Sequence, residues 1–105
     1  MEIRSGRVNE IEKFALYNED NAGEEILVVE NDGQIVAYAQ VTDGSIFFCE
    51  SELKGAGSAL VEYLKAREGY LVARSVEPTA RGFWSKMGFE FRSSDGFGGE
   101  DWDWE

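Results

Sequence analysis

The chain has 105 residues, 43% of them hydrophobic and 13% aromatic, a length and composition that predict one folded domain spanning residues 1–105. It carries a net charge of −11, no histidine and a single cysteine, Cys49. Those counts argue against a metal site, an internal disulfide framework and histidine-dependent triads, and against binding to nucleic acid, which needs basic patches. No apolar run is long enough to span a bilayer, and the N-terminus lacks the apolar stretch of a secretion signal. The expectation is a cytoplasmic protein with no membrane or nucleic-acid partner.

Met1 to Val8 reads as a first strand, and Asn9 can cap a short helix through about Tyr17, with Glu12 at the capping-box position. Residues 18–23 are polar and loop-like. Glu25–Glu30, Gln34–Thr42 and Ser45–Cys49 read as strands, joined at Asp32-Gly33 and Asp43-Gly44, two strong hairpin signals. On the second of these strands Ile35, Ala37 and Ala39 should face opposite to Val36, Tyr38 and Gln40. The pattern then becomes helical, with Ala56, Ala59, Leu60, Tyr63 and Leu64 on one stripe and Gly69 as the stop. Tyr70–Ser75 reads as a strand. Pro78 opens a shorter helix with Ala80, Phe83, Trp84 and Met87 on its stripe and Gly88 at its end. Phe89–Arg92 and Asp101–Glu105 read as strands, with a glycine-rich loop over Ser93–Gly99 between them. The fold class is α/β (α+β). An antiparallel meander is followed by helix, strand, helix, strand and strand in one mixed sheet.

Charge is unevenly spread along this order. Residues 1–52 carry net −9, residues 53–92 net +3 and residues 93–105 net −5. The pattern suits plain solubility, and it equally suits a middle segment that meets an anion while the acidic remainder meets a cation.

Lys54-Gly55-Ala56-Gly57-Ser58 lies where a strand feeds a helix. Free N–H groups at such a helix start, with the helix dipole, make an anion site, and glycines let a pyrophosphate approach the backbone. A simple turn accounts for the two glycines by themselves. The spacing is not that of a Walker loop.

A second motif stands downstream, Glu77-Pro78-Thr79-Ala80-Arg81-Gly82-Phe83-Trp84-Ser85-Lys86-Met87-Gly88-Phe89. Together with the glycine turn and the meander it resembles the GNAT superfamily of acyl-CoA-dependent N-acyltransferases, over about residues 25–92. The family's phosphate loop falls on Glu52 to Gly57. Its later helix falls on Glu77, Ala80, Phe83, Trp84, Lys86, Gly88 and Phe89. The resemblance implies that acetyl-CoA lays its pyrophosphate on the amides of Leu53, Lys54, Gly55, Ala56, Gly57 and Ser58. It implies a pantetheine arm lying between Ser45–Cys49, past Phe48 and Cys49, and Tyr70–Ser75. It also implies that Lys54, Arg81, Phe83 and Lys86 lie against the cofactor.

Three residues depart from the family pattern. Glu52 stands where Arg or Gln is usual, Glu77 where Asn is usual, and Trp84 where a tyrosine often protonates the departing thiolate. Trp84 lies on the apolar stripe and reads as packing. Glu50, at the end of the splayed strand, is the candidate base, and its other reading is a solvated strand-end carboxylate. Ser75 and Tyr70 are candidate proton relays. A main-chain N–H near Phe48 or Cys49 could polarise the thioester carbonyl. Cys49, with no histidine to activate it, reads as a buried apolar thiol. Trp102 and Trp104 read as core packing or a substrate wall, with Asp101, Asp103 and Glu105 solvated opposite them or attracting an amine.

The resulting expectation is transfer of an acetyl group from acetyl-CoA to a primary amine, either a small cationic molecule or a protein amine, by a monomer or homodimer. The alternative is a non-catalytic domain that binds CoA or a basic partner protein.

Overall fold

The computed structural model describes residues 1–14 and 25–105. In chain order the elements are β1 (Glu2–Ser5), α1 (Val8–Ile11), β2 (Glu25–Asn31), β3 (Gln34–Thr42), β4 (Ser45–Ser51) and α2 (Ala56–Arg67). After these come β5 (Leu71–Val76), a 3-10 turn (Pro78–Ala80) running into α3 (Arg81–Lys86), β6 (Glu90–Ser94) and β7 (Glu100–Trp104). The strands form one mixed seven-stranded sheet in the order β1-β2-β3-β4-β5-β7-β6. Every pairing is antiparallel except β4 with β5, which α2 connects as a crossover. The expected meander and the helix-strand-helix order that follows it are present.

Both hairpin turns have the conformation their sequences demand. Asp32 and Gly33 have φ of 52° and 78°, and Asp43 and Gly44 have 47° and 80°. Two successive left-handed residues match the twist of the flanking strands, and Asp-Gly supplies them cheaply.

The sheet buries two faces. On one, α2 and α3 cover Leu27, Ala37, Ala39, Ile46, Leu71 and Ala73 with Leu60, Val61, Leu64 and Trp84. Each fully buried leucine of α2 contributes about 1.5–3 kcal/mol through its removal from water. On the other face Ile11 and Phe14 pack against Ile26, Val28 and Tyr38.

Several expectations need correction. The first helix is capped at Arg7, not Asn9: the Arg7 main-chain N–H donates to Glu10 Oε1 at 2.9 Å, so Glu10 holds the position expected of Glu12. Its expected end at Tyr17, and the loop over 18–23, lie outside the described residues. The alternation on β3 breaks at Val36. A register shift against β2 sends Val36 to the helix-covered face beside Ala37, while Ile35 joins Tyr38 on the other. The stripe of α2 is rotated: Gly57 and Val61 are buried, whereas Tyr63 is exposed and carries the Arg67 guanidinium 6.0 Å from its ring. The helix ends at Arg67, where the Glu68 N–H bonds the Leu64 carbonyl, before Gly69 is reached. Gly88, with φ 89°, does stop α3.

The two hairpin glycines separate conformation from space. A Cβ on Gly33 would meet nothing within 4 Å, but one on Gly44 would stand 2.9 Å from the Tyr70 carbonyl oxygen. Gly33→Ala should therefore cost about 1–2 kcal/mol, the left-handed penalty alone. Gly44→Ala should cost roughly 3 kcal/mol or more, since the obstacle is backbone. Urea unfolding of the two variants checks this, and equal losses would contradict it.

Candidate functional site

The parallel strands β4 and β5 pair only at Ser45↔Val72 and Ile46↔Ala73. Beyond these positions they diverge, and both carry an irregularity at the point of parting. On β4, Gln40 faces Phe48 while Val41 faces Ile46, leaving Phe47 as an extra residue. On β5, Ala73 faces Trp102 while Val76 faces Glu100, so Arg74 and Ser75 together oppose Asp101. Ser75 has φ 55°, a left-handed conformation uncommon for serine. Bulges bend a strand and end its pairing. Here two of them open a cleft of about 220 Å³ lined by Ile46, Phe47, Cys49, Arg74, Ser75, Val76, Glu77, Ala80 and Trp84.

The end of β4 leads into the glycine turn and α2. Gly55 is the N-cap with φ 90°, and no side chain caps the helix. No carboxylate lies in the first turn of α2. The first-turn N–H groups thus present positive partial charge without a competing acidic side chain. The two glycines have different reasons. A Cβ on Gly55 would meet nothing within 4 Å, so glycine serves the backbone angle there. A Cβ on Gly57 would lie 3.5 Å from Ser51 Cβ and 3.8 Å from the Phe83 ring. Gly57 is where α3 packs beside the start of α2. Leu53 and Lys54 are exposed in the turn, Ala56 is buried and Ser58 half-buried.

The Glu52 side chain accepts a bond from Lys13 Nζ at 3.1 Å. This carboxylate is engaged by a cation from beyond α1, which offsets its repulsion for an anion at the turn. Arg81 holds Glu100 through two bonds, Nε to Oε1 at 2.8 Å and Nη2 to Oε2 at 2.5 Å. That pair raises the guanidinium's pKa and holds the Glu100 carboxyl below its ordinary range. Lys86 is exposed at the end of α3. Phe48 pairs through its backbone with Gln40 on β4's β3 side.

Glu50 is the direct cross-strand partner of Tyr38, whose hydroxyl donates to Glu50 Oε2 at 2.9 Å. Tyr38 is fully buried and its ring packs 4.8 Å from Phe14. Burial, then the bond to Glu50, pushes its phenol far above the ordinary value and fixes it as a donor. Glu50 thereby belongs to the sheet face opposite α2, whereas Cys49 packs beneath the helices. Ser75 lines the cleft, but Tyr70 does not. Its hydroxyl lies between Asp103 and Arg92, at 3.3 and 3.1 Å, at the far end of β5. Trp84 forms the cleft's floor, 6% exposed, with its ring 5.0 Å from Phe83 and 4.9 Å from Phe89. Trp102 and Trp104 pack against the helix-covered core. Asp101 and Asp103 are engaged by Arg74 and Arg92, at 3.0 and 4.0 Å, rather than simply solvated. Phe47, Arg74 and Tyr38 are site residues that no sequence motif marked. Among the described residues no three His, Cys, Asp or Glu side chains are placed to hold a metal, and no helix is long and apolar enough to cross a membrane.

No family model and no curated protein matches the chain by sequence. Solved structures do match. The N-acetyltransferase YlbP from Bacillus subtilis, in complex with coenzyme A, superposes with a TM-score of 0.81 at 16% identity, covering 99% of this chain and 95% of that one. A GCN5-related N-acetyltransferase from Rhodopseudomonas palustris superposes with a TM-score of 0.64 at 15% identity, covering 97% and 92%. Ribosomal-protein-alanine N-acetyltransferase from Brucella melitensis gives 0.60 at 18% identity, covering 98% and 97%. Likeness at this identity shows the fold, and the fold is that of GNAT N-acetyltransferases.

Burial, and then the charge of Glu50, pushes the Cys49 thiol up to about 12 from an ordinary 9.0. Cys49 is half-buried at the cleft. Only the thiolate reacts, and its smaller fraction is offset in part by the greater nucleophilicity of a high-pKa thiolate. Labelling by a disulfide reagent at pH 8 should therefore run about tenfold or more slower in the native protein than in guanidinium. Native labelling at the unfolded rate would show that Cys49 is an ordinary accessible thiol, and faster labelling would show an activated one.

Proposed function

We propose that this GNAT-fold chain is an acyl-CoA N-acyltransferase that moves an acetyl group from acetyl-CoA to a primary amine. The observation that carries the reading is the cleft between β4 and β5 beside the uncapped start of α2. Strands that part leave main-chain edges open, and the two amides of a pantetheine arm match such edges as an added strand would. The N–H groups of Gly57 and Ser58, with Leu53, Lys54 and Gly55 before them, are suited to a pyrophosphate. The Ala56 N–H, expected among these donors, is instead bonded to the Leu53 carbonyl at 3.1 Å and closes the turn. Phe83 supports the turn, and Lys54 and Lys86 are exposed cations available to the phosphates. Arg81 would join them only by giving up part of its pair with Glu100.

Bound acetyl-CoA supplies the activated acyl group. A main-chain N–H of β4 next to the Phe47 bulge, at Phe48 or Cys49, stabilises the negative charge that develops on the carbonyl oxygen. Glu50, held by Tyr38, takes a proton from the attacking amine through water. Ser75, at the cleft, is positioned to relay a proton. The thiolate that leaves as the C–N bond forms takes its proton from solvent, since the indole of Trp84 is buried and too weak an acid. The acidic remainder of the chain favours a cationic acceptor, a small amine or a protein amine. A single cysteine held as a thiol is consistent with a reducing cytoplasm.

The buried Trp84 also favours a second reading, in which the domain binds CoA without catalysis. Release of free CoA thiol from acetyl-CoA, screened across polyamines, aminoglycosides and lysine peptides, separates the two. The expected result is amine-dependent release that Glu50→Gln lowers by about 10²–10⁴-fold, the usual contribution of a general base. Tight CoA binding without turnover on any amine would select the second reading, and full turnover in Glu50→Gln would remove Glu50 as the base.

A further inference from the structure

Asp101 stands behind the β5 bulge and touches both of its residues. Its Oδ1 accepts the Ser75 N–H at 3.3 Å, and its Oδ2 accepts Arg74 Nη1 at 3.0 Å. The Asp101 side chain is only 16% exposed. Arg74 is steadied further by Ser45 on β4, whose Oγ lies 3.4 Å from its Nε. Ser75 pays a conformational penalty at φ 55°, and such a residue persists only where its surroundings over-determine it.

The β6–β7 hairpin closes the other side of the same bulge. A Cβ on Gly99 would stand 3.1 Å from Ser75 Cα, so bare backbone rests against the kink. The hairpin holds that shape through Asp95, whose Oδ1 accepts the N–H groups of Phe97 and Gly99 at 2.7 and 3.0 Å. Clamp and backstop thus meet at the residue where β5 turns from β4.

We propose that Asp101 is a positioning residue for CoA: it clamps Arg74 and Ser75 in the kink that carries β5 away from β4, and so sets the opening of the cleft. This rests on the acyl-CoA reading above. Asp101 does not line the cleft and acts on it through Arg74 and Ser75, which do. A glycine at position 75 would hold the left-handed angle without a clamp. That property separates a device for the kink from a general contribution to stability.

Isothermal titration with CoA tests it as a double-mutant cycle over wild type, D101A, S75G and the pair. Against the wild-type background D101A should weaken CoA binding about tenfold, the size typical of coupled neighbours. Against the S75G background the same change should cost less than about twofold, because the kink no longer needs the clamp. D101V, which suits a strand and offers no acceptor, replaces D101A if far-UV circular dichroism shows that D101A is unfolded. Equal CoA affinity with and without Asp101 overturns the proposal, as does an equal loss in both backgrounds, which is the mark of a merely structural residue. Wild-type protein that fails to bind CoA overturns the acyl-CoA reading itself, a result distinct from either.

Discussion

Two parallel strands that share only Ser45↔Val72 and Ile46↔Ala73 leave the rest of their facing edges without sheet partners. Main-chain N–H and C=O groups in that state need a ligand or water. The fold sustains the gap because each strand is anchored on its other side, β4 by six paired positions with β3 and β5 by its ladder with β7. Bulges at Phe47 and at Arg74–Ser75 supply the bend. Trp84, Val76 and Ala80 from the helix-covered core supply an apolar floor beneath it. The glycine turn and the start of α2 then lie where β4 ends, so the cleft and the proposed anion site are consecutive along the chain.

Electrostatics in this strongly acidic chain are managed locally. Three acids around the site are paired, Glu52 with Lys13, Glu100 with Arg81 and Asp101 with Arg74, while Glu77 lines the cleft itself. Such partly exposed pairs add little stability, and their role here is to occupy carboxylates with local cations. Net charge per segment singles out residues 53–92, the stretch that holds the glycine turn. The cations in it are divided between structural partners and exposed positions, however, so segment charge alone overstates how many can meet a phosphate.

The order of elements and both hairpins were legible in the sequence because Asp-Gly pairs, a change in hydrophobic period, Pro78 and Gly88 each act over a few residues. Bulges are not legible in this way. Counting outward from the Asp43-Gly44 turn sets Tyr38 opposite Cys49, and only the extra residue at Phe47 brings Glu50 to Tyr38 instead. The same shift escaped the alternation at Val36. The stripe of α2 was misread by one position because Tyr63 is apolar by type yet lies outward under Arg67. The Asp101 contacts depend on β7 returning between β5 and β6, a long-range pairing that no local pattern encodes.

The central claim is that the gap between β4 and β5 and the start of α2 together form one CoA site. Backbone chemical-shift mapping of the labelled protein with CoA tests it most directly. The account predicts the largest shifts at residues 46–50, 53–58 and 74–77, with β1 and β2 unchanged. Shifts scattered over the surface, or none at millimolar CoA, would contradict it.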